Sequence, residues 1–151
     1  MRFRVALAMQ RTAHHLRARS RLLALPVILV YRTYALFILG VDIPVTTRIG
    51  RRVQIFHGFG LVIHPNAVIG DRVVLRQNTT IGALGYEATA PAPRIGAGVD
   101  VGSNAVLLGD IVIGDNARIG AGAVVLQSVP EAGVAVGNPA RILGARACTP
   151  S

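Results

Sequence analysis

The most regular feature of the chain is an aliphatic residue at every sixth position. The sites are Ile49 and Ile55, then Ile63, Ile69, Leu75 and Ile81, then Ile95, Val101, Leu107, Ile113, Ile119 and Val125. Two positions ahead stands a second small or aliphatic residue, as at Val53, Ala67, Val73, Val99, Ala105, Ala117 and Ala123. Glycine often follows directly, as at Gly50, Gly70, Gly96 and Gly114. A period of six matches neither a helix of 3.6 residues per turn nor a single half-buried strand. It fits short strands joined at corners, three edges to a coil of about 18 residues. Such coils stack into a parallel β-helix with internal ladders of branched aliphatics. The expected fold class is therefore an all-β solenoid.

Ahead of the repeat, residues 2–24 predict a basic helix broken by Pro26, and residues 27–39 predict an apolar helix stopped by Gly40. The predicted organisation is a helical arm over 1–40, a β-helix over 41–144 and a tail over 145–151. The repeat skips twice. Eight residues separate Ile55 from Ile63, which puts two extra residues around His57-Gly58-Phe59-Gly60. Fourteen separate Ile81 from Ile95, and this stretch, with Pro91 and Pro93, reads as an excursion loop. Such insertions in solenoids often carry function.

Composition agrees with a narrow aliphatic core. Of 151 residues, 52% are hydrophobic but only 5% are aromatic, and Trp is absent, so disorder is excluded. A single cysteine, Cys148, excludes an internal disulfide and a cysteine-rich zinc site. The formal charge is +9, all of the bases are Arg, and residues 1–34 hold seven of them without an acid. The remainder of the chain carries only +2. The basic character thus belongs to the arm, as a solvated helix face or as a contact for an anionic surface. No nucleic-acid motif accompanies it, and no nucleic-acid partner is expected. The apolar run 22–39 is 18 residues long with Arg32 inside it, against about 20 for a spanning helix. A soluble or peripheral protein is the expectation, cytoplasmic or at the inner face of the membrane, with membrane contact confined to residues 1–40.

Two side chains stand out as candidate chemistry. His57, followed by glycine in the first insertion, is either a surface residue or a general base, since imidazole titrates near neutrality. Asp42 lies 15 residues earlier, a little under one coil. It is a turn residue, or a carboxylate that returns near His57 to fix its tautomer. His64, before Pro65-Asn66, reads as a corner residue, and His14 and His15 as surface groups of the first helix. A metal-binding solenoid, such as a carbonic-anhydrase-like trimer, needs about three convergent imidazoles. Only His57 and His64 fall within the repeat, so no metal is expected. A non-catalytic scaffold remains the rival from another class.

Several motifs occur in order: Asp42-Ile43-Pro44, His57-Gly58-Phe59-Gly60, Gln77-Asn78-Thr79-Thr80-Ile81-Gly82, Ile119-Gly120-Ala121-Gly122-Ala123 and Gly137-Asn138-Pro139-Ala140-Arg141. Together they resemble the serine acetyltransferase branch of the hexapeptide-repeat acyltransferases, over about two-thirds of the chain. The resemblance implies a left-handed β-helix, a homotrimer, and acetyl transfer from acetyl-CoA to a hydroxyl. It implies His57 as base with Asp42 as its partner. It further implies that acetyl-CoA lies between neighbouring chains along Gly82, Ala83, Ser103 and Ala121, with Arg141 near the nucleotide phosphates. For these small residues plain repeat geometry is the competing explanation.

The chain also departs from that branch. The serine enzymes carry an Asp immediately before the catalytic His, where Phe56 stands here, and an Arg-His pair where Pro91 and Ala92 stand. Their large N-terminal helical domain is reduced to about 40 residues. The groups that would hold the amine and carboxylate of serine are missing. The resulting expectation is an O-acetyltransferase acting on a sugar or polysaccharide hydroxyl, with serine as the alternative acceptor.

Overall fold

The structure is a computed structural model that describes residues 2–85, 87 and 89–143; the expected tail, with Cys148, lies outside them. Two helices, α1 (Arg2–Arg19) and α2 (Arg21–Thr33), lead through a π-helical turn (Tyr34–Ile38) into the solenoid. Its first coils contain β1 (Arg48–Ile49), β2 (Gln54–Phe56), β3 (Val62–Ile63), β4 (Val68–Ile69), β5 (Val74–Arg76) and β6 (Thr80–Gly82). After the excursion loop come β7 (Arg94–Ile95), β8 (Asp100–Val101), β9 (Val106–Leu108), β10 (Val112–Ile113), β11 (Arg118–Ile119) and β12 (Val124–Val125). The stack ends with β13 (Val134–Val136) and β14 (Arg141–Leu143).

Every third strand shares a face, giving a left-handed triangular prism with faces β1-β4-β7-β10, β2-β5-β8-β11-β13-β14 and β3-β6-β9-β12. Pairing is parallel throughout except for β14, which returns antiparallel along β13. Arg94 pairs with Val112, one 18-residue coil on. Arg48 pairs with Val68, a gap of 20, and Val68 pairs with Arg94, a gap of 26. The two insertions are thus two and eight residues long and leave the ladder in register.

The sixth-position aliphatics point inward: Ile81, Leu107, Ile113 and Val125 have no exposed surface, and neither do Val73, Val99, Ala105, Ala117 and Ala123 two positions ahead of their sites. Glycine between coils has a steric reason. A Cβ on Gly70 would lie 2.6 Å from the Gly96 carbonyl. Coil spacing is set by backbone hydrogen bonds, so neither chain can retreat.

The arm differs from expectation at its break. The chain leaves the helix at Ser20 (φ −156°, ψ 124°), and α2 continues through Pro26. Pro26 is exposed, so its ring and the carbonyl it leaves unbonded face solvent, where water meets the cost. His14 also differs, being no surface group. Lying across the first coil, α1 brings His14 Nδ1 to 2.8 Å from the Val45 carbonyl. Buried Gln10 donates Nε2 to the carbonyls of Thr47 (3.0 Å), Pro44 and Val45 (both 3.4 Å), and Arg11 donates to that of Gly50. From α2, Tyr31 donates its hydroxyl to the Ile43 carbonyl at 2.7 Å. Gln10→Ala should destabilise the chain by about 1–3 kcal/mol, since buried carbonyls lose their donor; an unchanged urea midpoint would show that the latch carries no stability.

The other side of α2 and of the turn that follows it is bare. Leu22, Leu25, Leu29 and Val30 of the helix and Phe37 and Ile38 of the turn are all more than half exposed. The helical stretch Arg21–Ile38 is long and apolar enough to cross a membrane by length and composition.

Candidate functional site

His57 stands in the corner between β2 and β3, within the two-residue insertion. It is exposed, and its backbone is held at φ +50°, a left-handed conformation unusual for a residue with a Cβ. Among the described residues, the other non-glycine residues with positive φ are Arg52, Arg72, Asn78, Asn104, Asn116 and Ala132, at ordinary coil corners. The loop is fixed on several sides. The Phe59 amide donates to the His57 carbonyl (2.7 Å), the Gly60 amide to Gly40 (2.7 Å), and the Asn78 amide to Phe59 in the next coil (2.8 Å). Gly58 is enclosed: a Cβ there would lie 2.4 Å from Ile55 and 2.9 Å from the Phe3 ring. Phe3 also meets Phe59 edge-on, with centroids 6.5 Å apart.

Asp42 lies in the coil beneath the end of this loop. Its amide donates to the Leu61 carbonyl and its carbonyl accepts from Ile63, both at 2.9 Å, and it bridges to Val62. The insertion stretches this coil to 20 residues, so Asp42 sits under Val62, five residues past His57. No hydrogen bond joins its carboxylate to the His57 ring. The carboxylate is instead felt by Tyr31, whose phenol is raised above its ordinary range mainly by burial, then by the Asp42 charge, with Arg32 opposing. Sequence reasoning did not single out Tyr31 or Phe3. Only the fold-back of the arm onto the first coil reveals them.

The expected acetyl-CoA residues divide between two corners. Ser103 and Ala121 share the corner of His57: the Gly122 amide donates to Ser103 (2.8 Å), the Asn104 amide to Gln77 (3.0 Å), and Asn78 leads on to Phe59. Gly82 and Ala83 lie at the far end of the β3-β6-β9-β12 face, where the Gly109 amide donates to Gly82 (3.0 Å). Arg141 begins β14 at the top of the stack and is exposed. One protomer therefore does not gather the whole set. The excursion loop shelters a cavity of about 580 Å³, with Leu84, Ala90, Pro91 and Gly109 beside Glu87 and Asp110. No Arg is among its described lining residues. His64 behaves as a corner residue, Nδ1 accepting from the Asn66 amide at 3.2 Å. Among the described residues no three His, Cys, Asp or Glu converge as a metal site.

The family described as bacterial transferase hexapeptide (six repeats) matches residues 92–127. A protein of Escherichia coli K12 named as a colanic acid biosynthesis acetyltransferase, WcaB, is 42% identical over 123 residues, which cover 82% of this chain and 75% of that protein. The chain belongs to the serine acetyltransferase-like branch of the hexapeptide-repeat acyltransferases. Serine acetyltransferase 4 of Arabidopsis thaliana is 40% identical over 140 residues, covering 93% of this chain but 39% of that protein. The soybean serine acetyltransferase complexed with serine superposes with a TM-score of 0.85 at 38% identity, covering 95% of this chain and 58% of that one. The acetyltransferase thus spans about half the length of the serine enzymes, but most of its colanic acid relative.

Proposed function

We propose that the chain transfers acetyl from acetyl-CoA to an acceptor hydroxyl, with His57 as general base. The observation that carries this reading is the imidazole held out at φ +50° on an insertion that the repeat itself does not need. The acceptor oxygen attacks the thioester carbonyl as Nε2 or Nδ1 of His57 takes its proton, and the imidazolium then protonates the departing CoA thiolate. Asp42 orients the ring. Catalytic hydrogen bonds are often long in free enzymes and tighten with substrate bound, so this is the contact that binding must complete. Gly82 and Ala83 of one copy and Ser103 and Ala121 of its neighbour would border acetyl-CoA, with Arg141 toward its phosphates. Their separation on two corners of one protomer favours a homotrimer.

Serine is the acceptor supported by several relatives and by solved structures that superpose on the chain. A sugar hydroxyl is the second reading, favoured by specific observations. Phe56, Pro91 and Ala92 replace the polar groups of the serine enzymes, and a relative spanned over 75% of its length is named for colanic acid biosynthesis. Free-thiol release from acetyl-CoA, with serine and with nucleotide-sugar or glycan acceptors, separates them. Efficient serine turnover without glycan acetylation selects the first, and the reverse selects the second.

We further propose a location at the cytoplasmic membrane face. The exposed apolar side of α2 adjoins exposed Arg17, Arg19, Arg21 and Arg32, a combination that suits an anionic lipid surface. The chain should co-sediment with vesicles containing phosphatidylglycerol, and high salt or the pair Leu29→Glu and Phe37→Glu should release it. Equal recovery with neutral vesicles, or none with either, removes the membrane from the picture.

A further inference from the structure

A cavity of about 470 Å³ lies between the first turn of α1 and β2, with Phe3, Arg4, Arg52, Gln54 and Phe56 among its lining residues. It adjoins His57 from both directions along the chain. Phe56 immediately precedes the histidine, and Phe3 lies against Gly58, which follows it. Its charge is one-sided. Arg4 and Arg52 line it, no acid does, and among the described residues neither guanidinium is paired with a carboxylate. The first turn of α1 also contains no acid, so the positive end of the helix dipole adds to the same field. Phe56, 46% exposed, offers an apolar wall beside these charges.

Two guanidiniums beside an aromatic ring form a receptor for a small organic molecule bearing a carboxylate or phosphate. We propose that this cavity recognises an anionic group on the acceptor, with Arg4 and Arg52 on the anion, Phe56 against the body of the molecule, and the hydroxyl directed to His57. The inference rests on the acetyl-transfer reading above and narrows its substrate class to anionic acceptors. It also accounts for the loop at Pro91 and Ala92: the counter-charge comes instead from Arg4 of the arm and Arg52 of the corner between β1 and β2.

Two matched acceptor pairs test it by thiol release, namely serine against serinamide and glucose 1-phosphate against glucose. The anionic member of one pair should be the better substrate, and which pair responds tells carboxylate from phosphate. Arg4→Gln with Arg52→Gln should raise KM for that acceptor about 10- to 100-fold, as for lost hydrogen bonds to charged groups. The kcat, the neutral acceptor and the KM for acetyl-CoA should change little. Calorimetric titration with glucose 1-phosphate and with serine, without acetyl-CoA, gives a readout independent of turnover, and the double variant should abolish the binding seen in the parent. A shift in the KM for acetyl-CoA instead would assign these arginines to the CoA phosphates and overturn the proposal. Equal use of charged and neutral acceptors would overturn it while leaving acetyl transfer intact. Absence of anion binding together with absence of any transfer would remove both.

Discussion

Replacing His57 with asparagine is expected to lower acetyl transfer about 10²- to 10⁴-fold, the usual contribution of a general base, and to leave the fold unchanged. The prediction separates chemistry from stability because the imidazole is exposed and makes no side-chain hydrogen bond to Asp42. Asparagine is the better replacement here. It tolerates the left-handed backbone that His57 adopts at φ +50° and keeps a polar side chain at the corner. Acetyl-CoA binding, measured without an acceptor, should be retained. Transfer at the parental rate would show that the base lies elsewhere, and that the corner insertion is only a structural loop. Asp42→Asn should lose less, since it leaves the imidazole in place.

The largest effect on stability is expected from Leu107→Ala. Leu107 has no exposed surface and stands in the middle of one internal ladder, paired on one side with Ile81 and on the other with Val125. Truncating a buried leucine costs about 2–5 kcal/mol, toward the upper end where the site cannot collapse. Collapse is blocked here because the coils above and below are held at strand spacing by backbone hydrogen bonds. In a stacked architecture each coil is stabilised by its neighbours, so the loss should fall on the whole stack. Ile49→Ala, at a site that is itself only half-buried, should cost less. Equal shifts of the urea midpoint for the two variants would contradict this dependence on burial.

The six-residue period carried most of the fold because a solenoid repeats one contact many times. Each inward site, from Ile63 to Val125, is decided by the same local geometry, so counting residues was enough to find it. The arm contains no such redundancy. Gln10, Arg11 and His14 each make a contact that occurs once, and no spacing announces it. The break at Ser20 depended on how two helices fold back over one coil, which outweighed the usual meaning of Pro26. The pairing of Asp42 illustrates the same limit. Its 15-residue distance from His57 reads as slightly less than a coil, but the insertion that displays the histidine also lengthens the coil to 20 residues. Asp42 therefore comes to rest under Val62. The corner that carries Ser103 and Ala121 followed from the period, whereas in the proposed homotrimer the complementary corner would come from another copy, which no single chain can specify. Even the scarcity of aromatic residues acquires a position. Three of the four phenylalanines, Phe3, Phe56 and Phe59, gather around His57 and leave the prism interior to branched aliphatics.

A pile of parallel coils has no natural terminus, since each end offers open amide and carbonyl groups to the next coil, whether from the same chain or a stranger. At the near end Gln10, Arg11 and His14 occupy carbonyls of residues 44–50. At the far end β14 runs the wrong way for another parallel coil to join that face. The helix beside the His57 corner is therefore also a stopper against fibre growth. A chain cut back to Gly40 is expected to lose the stopper along with the proposed acceptor cavity, and to associate end on end.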